Sequence, residues 1–113
     1  MVMHICFNQL SGSVPSEFGN KLTRLRFLTL RNNSLTGSIP ASLGNLSSLG
    51  VLELSFNQLV GTIPPNLGIL KDLTFLGLAF NNLSGDLPVS LYNLSSMEKN
   101  ADSVQHAWRK HSY

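Results

Sequence analysis

Apolar and polar positions along this chain follow a phrase that returns at steps of 25, 24 and 24 residues, counted between Asn8, Asn33, Asn57 and Asn81. Ahead of each asparagine the pattern is L-x-x-L-x-L-x-x-N: Leu25, Leu28, Leu30, Asn33, then Leu49, Leu52, Leu54, Asn57, then Leu73, Leu76, Leu78, Asn81. Met3 and Ile5 take the same places before Asn8, so the chain is expected to begin inside a repeat. The central L-x-L alternates with period two, which predicts a short strand with one face inward. A period of this length predicts a solenoid: no unit buries its apolar side alone, and stacking supplies the core. The stacked strands then form a parallel sheet on a concave face.

After the asparagine each copy continues L-x-G-x-[IVL]-P, as in Leu35, Gly37, Ile39, Pro40 and Leu59, Gly61, Ile63, Pro64. Glycine there permits a bend or a close backbone approach, and proline fixes φ and removes a donor where the chain leaves the turn. The next stretch, Leu43, Gly44, Leu46 and Leu49 in the second copy, is expected to return on the convex side as a short helical or 3₁₀ segment. The fold class is therefore an α/β solenoid of about four repeats, near 1–24, 25–48, 49–72 and 73–97, followed by a tail at 98–113.

The asparagine column has its own explanation. A side-chain amide inside such a turn costs free energy unless its donors and acceptor are satisfied. Asn8, Asn33, Asn57 and Asn81 are expected to form a structural ladder bonding turn backbone within and between repeats. The repetition fails after Leu94: Met97 stands where a first leucine belongs, but Asn100 and Asp102 fill the next inward places. The tail is read as irregular or a short helix, with Trp108 as its one large apolar residue.

Composition adds bounds. The 113 residues allow one domain, and 42% hydrophobic with 12% charged residues is apolar enough to pack. A formal charge of +2 argues against a dedicated nucleic-acid binder, and Lys21, Arg24, Arg26 and Arg31 read as solvated repeat positions. The single Cys6 can form no internal disulfide, and there is no Cys/His set for a metal. No stretch has the length of a transmembrane helix, and MVMHICFNQL lacks the basic start and apolar run of a signal peptide.

No catalytic set is expected, and no cofactor. His4, His106 and His111 are scattered, and Glu17, Glu53, Asp72, Asp86, Glu98 and Asp102 fall on different columns. The outward strand positions are the best functional surface, because inward leucines serve packing. Those columns hold His4, Thr29, Glu53 and Gly77; Cys6, Arg31, Ser55 and Ala79; and Phe7, Asn32, Phe56 and Phe80. From them His4, Phe7, Thr29, Arg31, Glu53, Ser55, Phe56 and Phe80 are taken as ligand-binding candidates. Phe7, Phe56 and Phe80 form an aromatic stripe for a partner, or else pack on one another at the sheet edge. Arg31 and Glu53 either pin a polar ligand or form an exposed ion pair, worth under about 1 kcal/mol. Four N-x-[ST] sequons are N-glycosylation candidates: Asn32, Asn45, Asn82 and Asn93.

The columns L-x-G-x-[IVL]-P-x-x-L-G-x-L resemble the plant-type class of leucine-rich repeats over residues 3 to about 97. Wording such as SLYNLSSM and ASLGNLSSL is similar to receptor-kinase families of grasses. The resemblance implies an ectodomain of a plant receptor-like kinase or receptor-like protein, here a fragment. It further implies non-catalytic recognition of a protein or peptide ligand, often with a co-receptor, at the extracellular face of the plasma membrane or as a secreted protein. The sequence as read is expected to depart from the full family pattern in four ways: no signal peptide, no N-terminal cysteine-pair cap, no transmembrane helix and no kinase domain. Two other readings stay open at this point: a polygalacturonase-inhibitor-like secreted binder, and a truncated product with no independent function.

Overall fold

The computed structural model describes residues 2–4 and 11–92. Each repeat contributes one strand to a four-stranded parallel sheet: β1 (Val2–His4), β3 (Phe27–Thr29), β5 (Val51–Glu53) and β7 (Phe75–Gly77), in the order β1-β3-β5-β7. The register steps through equivalent residues, with Leu28 opposite Leu52 and Leu52 opposite Leu76. Repeat-to-repeat bonding continues past the strand ends, where the Leu30 amide donates to the Glu53 carbonyl at 2.9 Å and the Leu54 amide to the Gly77 carbonyl at 2.8 Å. The architecture is the α/β solenoid expected from the period.

A second strand layer follows each asparagine, which the sequence pattern does not announce. Here β2 (Ser11–Ser13) pairs in parallel with β4 (Ser34–Thr36), and β6 (Val60–Gly61) with β8 (Asn82–Leu83). A bridge from Ser38 to Val60 joins these two ladders. Gly61, inside β6, has φ +81°, a left-handed conformation that side chains with a Cβ rarely adopt.

The chain then crosses the convex side in one short turn per repeat: α1 (Phe18–Lys21), 3₁₀ turns at Ala41–Asn45 and Pro65–Ile69, and α2 (Val89–Tyr92). Pro40 and Pro64 lead into the 3₁₀ turns in extended conformation, and the turns are closed by bonds such as Leu43 amide to Pro40 carbonyl and Leu67 amide to Pro64 carbonyl, both 3.2 Å. Neighbouring turns pack very closely. A Cβ built on Gly44 would stand 2.5 Å from the carbonyl oxygen of Asn66, so glycine is required there for approach. Ser42 and Ser90 hydroxyls donate to the Ser16 and Pro65 carbonyls of the preceding repeat at 2.7 and 2.9 Å.

Between the layers runs one core made of leucine columns, including Leu25, Leu49 and Leu73, then Leu28, Leu52 and Leu76, then Leu35, Leu59 and Leu83, all buried. Each such leucine contributes about 1.5–3 kcal/mol on burial, an upper figure because unfolded chains are already partly collapsed. The asparagines sit inside this apolar body. The Asn57 amide group donates to the Leu30 carbonyl of the preceding repeat and the Leu54 carbonyl of its own, both at 3.0 Å. Its Oδ1 accepts from the Leu35 amide at 3.2 Å. Asn81 repeats the arrangement one level on, donating to the Leu54 and Leu78 carbonyls and accepting from the Leu59 amide. Asn33 donates to the Leu30 carbonyl at 2.9 Å. Among the described residues no buried side-chain nitrogen or oxygen lacks a hydrogen-bond partner. Asn8, Met97, Trp108 and the tail at 98–113 lie outside the described residues.

Candidate functional site

The concave sheet gathers its polar residues around one ion pair. Arg31 and Glu53 stand on adjacent repeats, with Nη1 and Oε2 3.9 Å apart. Glu53 is fixed on its other side, where Oε1 accepts from the Ser55 backbone amide at 3.0 Å. Gly77 makes the room for this carboxylate: a Cβ on Gly77 would collide with it. The Arg31 guanidinium also lies over the Phe56 ring, 4.8 Å from its centroid. Phe56 in turn stacks on Phe80, with centroids 4.5 Å apart and planes within 15°.

The two rings owe their place to the backbone. Asn32, Phe56 and Phe80, one residue before each ladder asparagine, have φ of 60°, 61° and 58°. That left-handed step is uncommon for a bulky residue. It turns the chain out of the sheet into the asparagine turn and sets successive Phe rings one above the other. Of the two readings of the aromatic stripe, mutual packing holds for Phe56 and Phe80, yet Phe80 stays 50% exposed and so also presents a surface.

Strand parity puts Thr29 and Ser55 on the outward face, where both are only 5% exposed, so little of either side chain is open to a partner. Their side chains are short. Arg31 reaches Glu53 and Phe56 on the next repeat, the residues two before and one after Ser55. His4 stands in register with Thr29 on β1, while Cys6 and Phe7 lie outside the described residues. A further outward column escaped the sequence reading: Val2, Phe27, Val51 and Phe75, in register across the sheet, with Val2 59% exposed and the other three half-buried. Parity could have found it, since these residues lie two before the Thr29 column. The concave face thus carries an apolar column at the start of its strands, an aromatic pair at the end, and the ion pair between.

Among the described residues no group of His, Cys, Asp or Glu could hold a metal ion, and no helix is long and apolar enough to cross a membrane. Such a face defines a class of protein that displays side chains on a repeating scaffold.

Comparison with known proteins agrees with that class. The chain belongs to the leucine-rich-repeat family: the family model described as "Leucine rich repeat" matches residues 1–59, and a second of that description matches residues 72–94. The receptor kinase-like protein Xa21 of Oryza sativa subsp. japonica is 49% identical over 47 residues, 42% of this chain and 4% of Xa21. Among solved structures, the PEPR1–AtPEP1 complex superposes with a TM-score of 0.83 at 46% identity, covering 85% of this chain and 13% of that one. The Arabidopsis receptor kinase HAESA, in complex with the peptide hormone IDA and the co-receptor SERK1, gives a TM-score of 0.82 at 36% identity, over 85% of this chain and 16% of that one. The chain is thus similar to the repeat ectodomains of plant receptor kinases and spans a small part of their length.

Proposed function

We propose that this chain is a non-catalytic recognition segment of a plant receptor-like kinase or receptor-like protein ectodomain, acting at the extracellular face of the plasma membrane or in secreted form. Its array, taken as residues 1–97, receives an extended peptide along the concave sheet, with a co-receptor as a second partner. One observation carries this reading: the outward columns bear a half-exposed aromatic stack and a charged pair that the solenoid does not need for its core. The complexes of PEPR1 with AtPEP1 and of HAESA with IDA and SERK1 support it by likeness.

The test is selection of binders from a displayed library of random peptides, followed by competition with surface variants. Phe80→Ser should weaken the selected peptides at least tenfold, about 1.4 kcal/mol or more. Val89→Ser, which changes an apolar residue 72% exposed on the convex side, should leave them unchanged. Peptides that respond to Val89 and ignore Phe80 would place recognition on the other side of the molecule.

A further inference from the structure

The sequons are not equivalent once folded. Asn45 ends the 3₁₀ turn Ala41–Asn45 on the convex side, and both Asn45 and Ser47 are exposed. One hydrogen of its side-chain amide makes a long, exposed bond to Asn20 Oδ1 at 3.4 Å, which leaves the other free for substitution. Asn82 opens β8 in the second strand layer, and it and Ser84 are again exposed. Their backbone amides are spent on the preceding repeat, donating to the Leu59 and Gly61 carbonyls at 2.8 Å, and Leu83 between them is in the core. The Asn82 side chain therefore projects from a fixed strand.

Asn32 contrasts with both. It is half-buried with φ 60°, it belongs to the column of Phe56 and Phe80, and its acceptor residue Ser34 is half-buried too. The residue between them, Asn33, is a buried ladder asparagine. A glycan on Asn32 would need room against the aromatic stack and the Arg31 guanidinium.

We propose that Asn45 and Asn82 are N-glycosylation sites and that Asn32 is not, so that glycans clothe the convex side and the second strand layer while the concave sheet stays bare. In each transfer a bond forms between Asn Nδ2 and the anomeric carbon of an oligosaccharide carried on a polyprenyl diphosphate. The sugar–diphosphate bond breaks, the lipid diphosphate leaves, and the proton lost by the amide balances the departing anion. The inference rests on the extracellular reading above, since the oligosaccharide donor is met in the secretory pathway. Its functional content is a restriction: a partner would have to approach from the sheet.

The experiment is secretion of the full chain from insect cells behind a supplied leader, in an Asn93→Gln background, with glycopeptide mass spectrometry of the released protein. Glycan mass on the Asn45 and Asn82 peptides, with Asn32 unmodified, is the expected result. Intact mass should fall by one glycan in N45Q and in N82Q and be unchanged in N32Q. A bare Asn45 or Asn82, or a glycan on Asn32 in the secreted protein, overturns the proposal. If no protein is released, translation with microsomes reads the same point by gel shift: N45Q and N82Q must each lose one endoglycosidase-sensitive step, and failure to do so overturns it equally. Because the leader is supplied, a failure here leaves the natural location untouched, and a different natural location would leave the site assignment standing.

Discussion

At the residue scale the asparagine column shows why one polar side chain persists inside a leucine core. Asn57 satisfies two carbonyls and one amide drawn from two repeats, so an alanine there strands buried backbone groups as well as removing its own bonds. Asn57→Ala should lower stability by about 1–3 kcal/mol, read as a shift of the chemical-denaturation midpoint. Ser55→Ala should shift it clearly less, since Glu53 is held by the Ser55 backbone amide rather than its hydroxyl. Equal shifts would mean that the amide bonds contribute nothing special. The spacing of these asparagines pointed to turn backbone in advance, because a buried amide has few other uses. The low exposure of Thr29 and Ser55 was not legible, because parity tells which face a side chain takes but not how far its neighbours cover it.

At the element scale two glycine columns serve different physical needs. Gly61 supplies a left-handed φ, where a Cβ would meet Ser38 only at an ordinary contact distance of 3.6 Å, whereas Gly44 supplies closeness between neighbouring convex turns. Gly44→Ala should therefore cost about 1–3 kcal/mol through overpacking against a backbone carbonyl that no side-chain rotation can relieve. Thermal unfolding of that variant followed by circular dichroism measures it, and an unchanged midpoint would show that the turns separate at little cost. The leucine strands and convex turns were readable from periodicity alone. The second strand layer was hidden because its residues, Ser11–Ser13 and Val60–Gly61 among them, are rich in serine and glycine, which read as turn. Stacking on the neighbouring repeat, rather than local preference, extends them into strands.

At the scale of the whole molecule, stability is shared between repeat and interface terms, as expected of a quasi-one-dimensional array. The interfaces are dense here: the sheet, the second ladders, the asparagine amides and the serine hydroxyls all cross from one repeat to the next. Repeats two to four should accordingly unfold together in a single denaturant transition, coincident by circular dichroism and by hydrogen exchange of the Leu30 and Leu54 amides. Two separated transitions would show that the repeats act as independent units. The fold at this scale was the most legible of all, because the repeated columns agree at every level. The concave surface was the least, because the residues that could recognise a partner are those the repeat leaves unconstrained.

The rungs that join Leu30, Asn57 and Leu54 have a consequence for how such a gene can change. Each rung reaches one period back along the chain, so a duplication or deletion of one whole 24-residue unit, the Asn57 to Asn81 step, brings every donor opposite an equivalent acceptor again. An insertion of half a unit would set leucines against turn carbonyls and strand the amides. Unequal recombination between neighbouring copies is thus tolerated by the scaffold, and it carries whole sets of outward side chains, such as Glu53, Ser55 and Phe56, to new levels as a block.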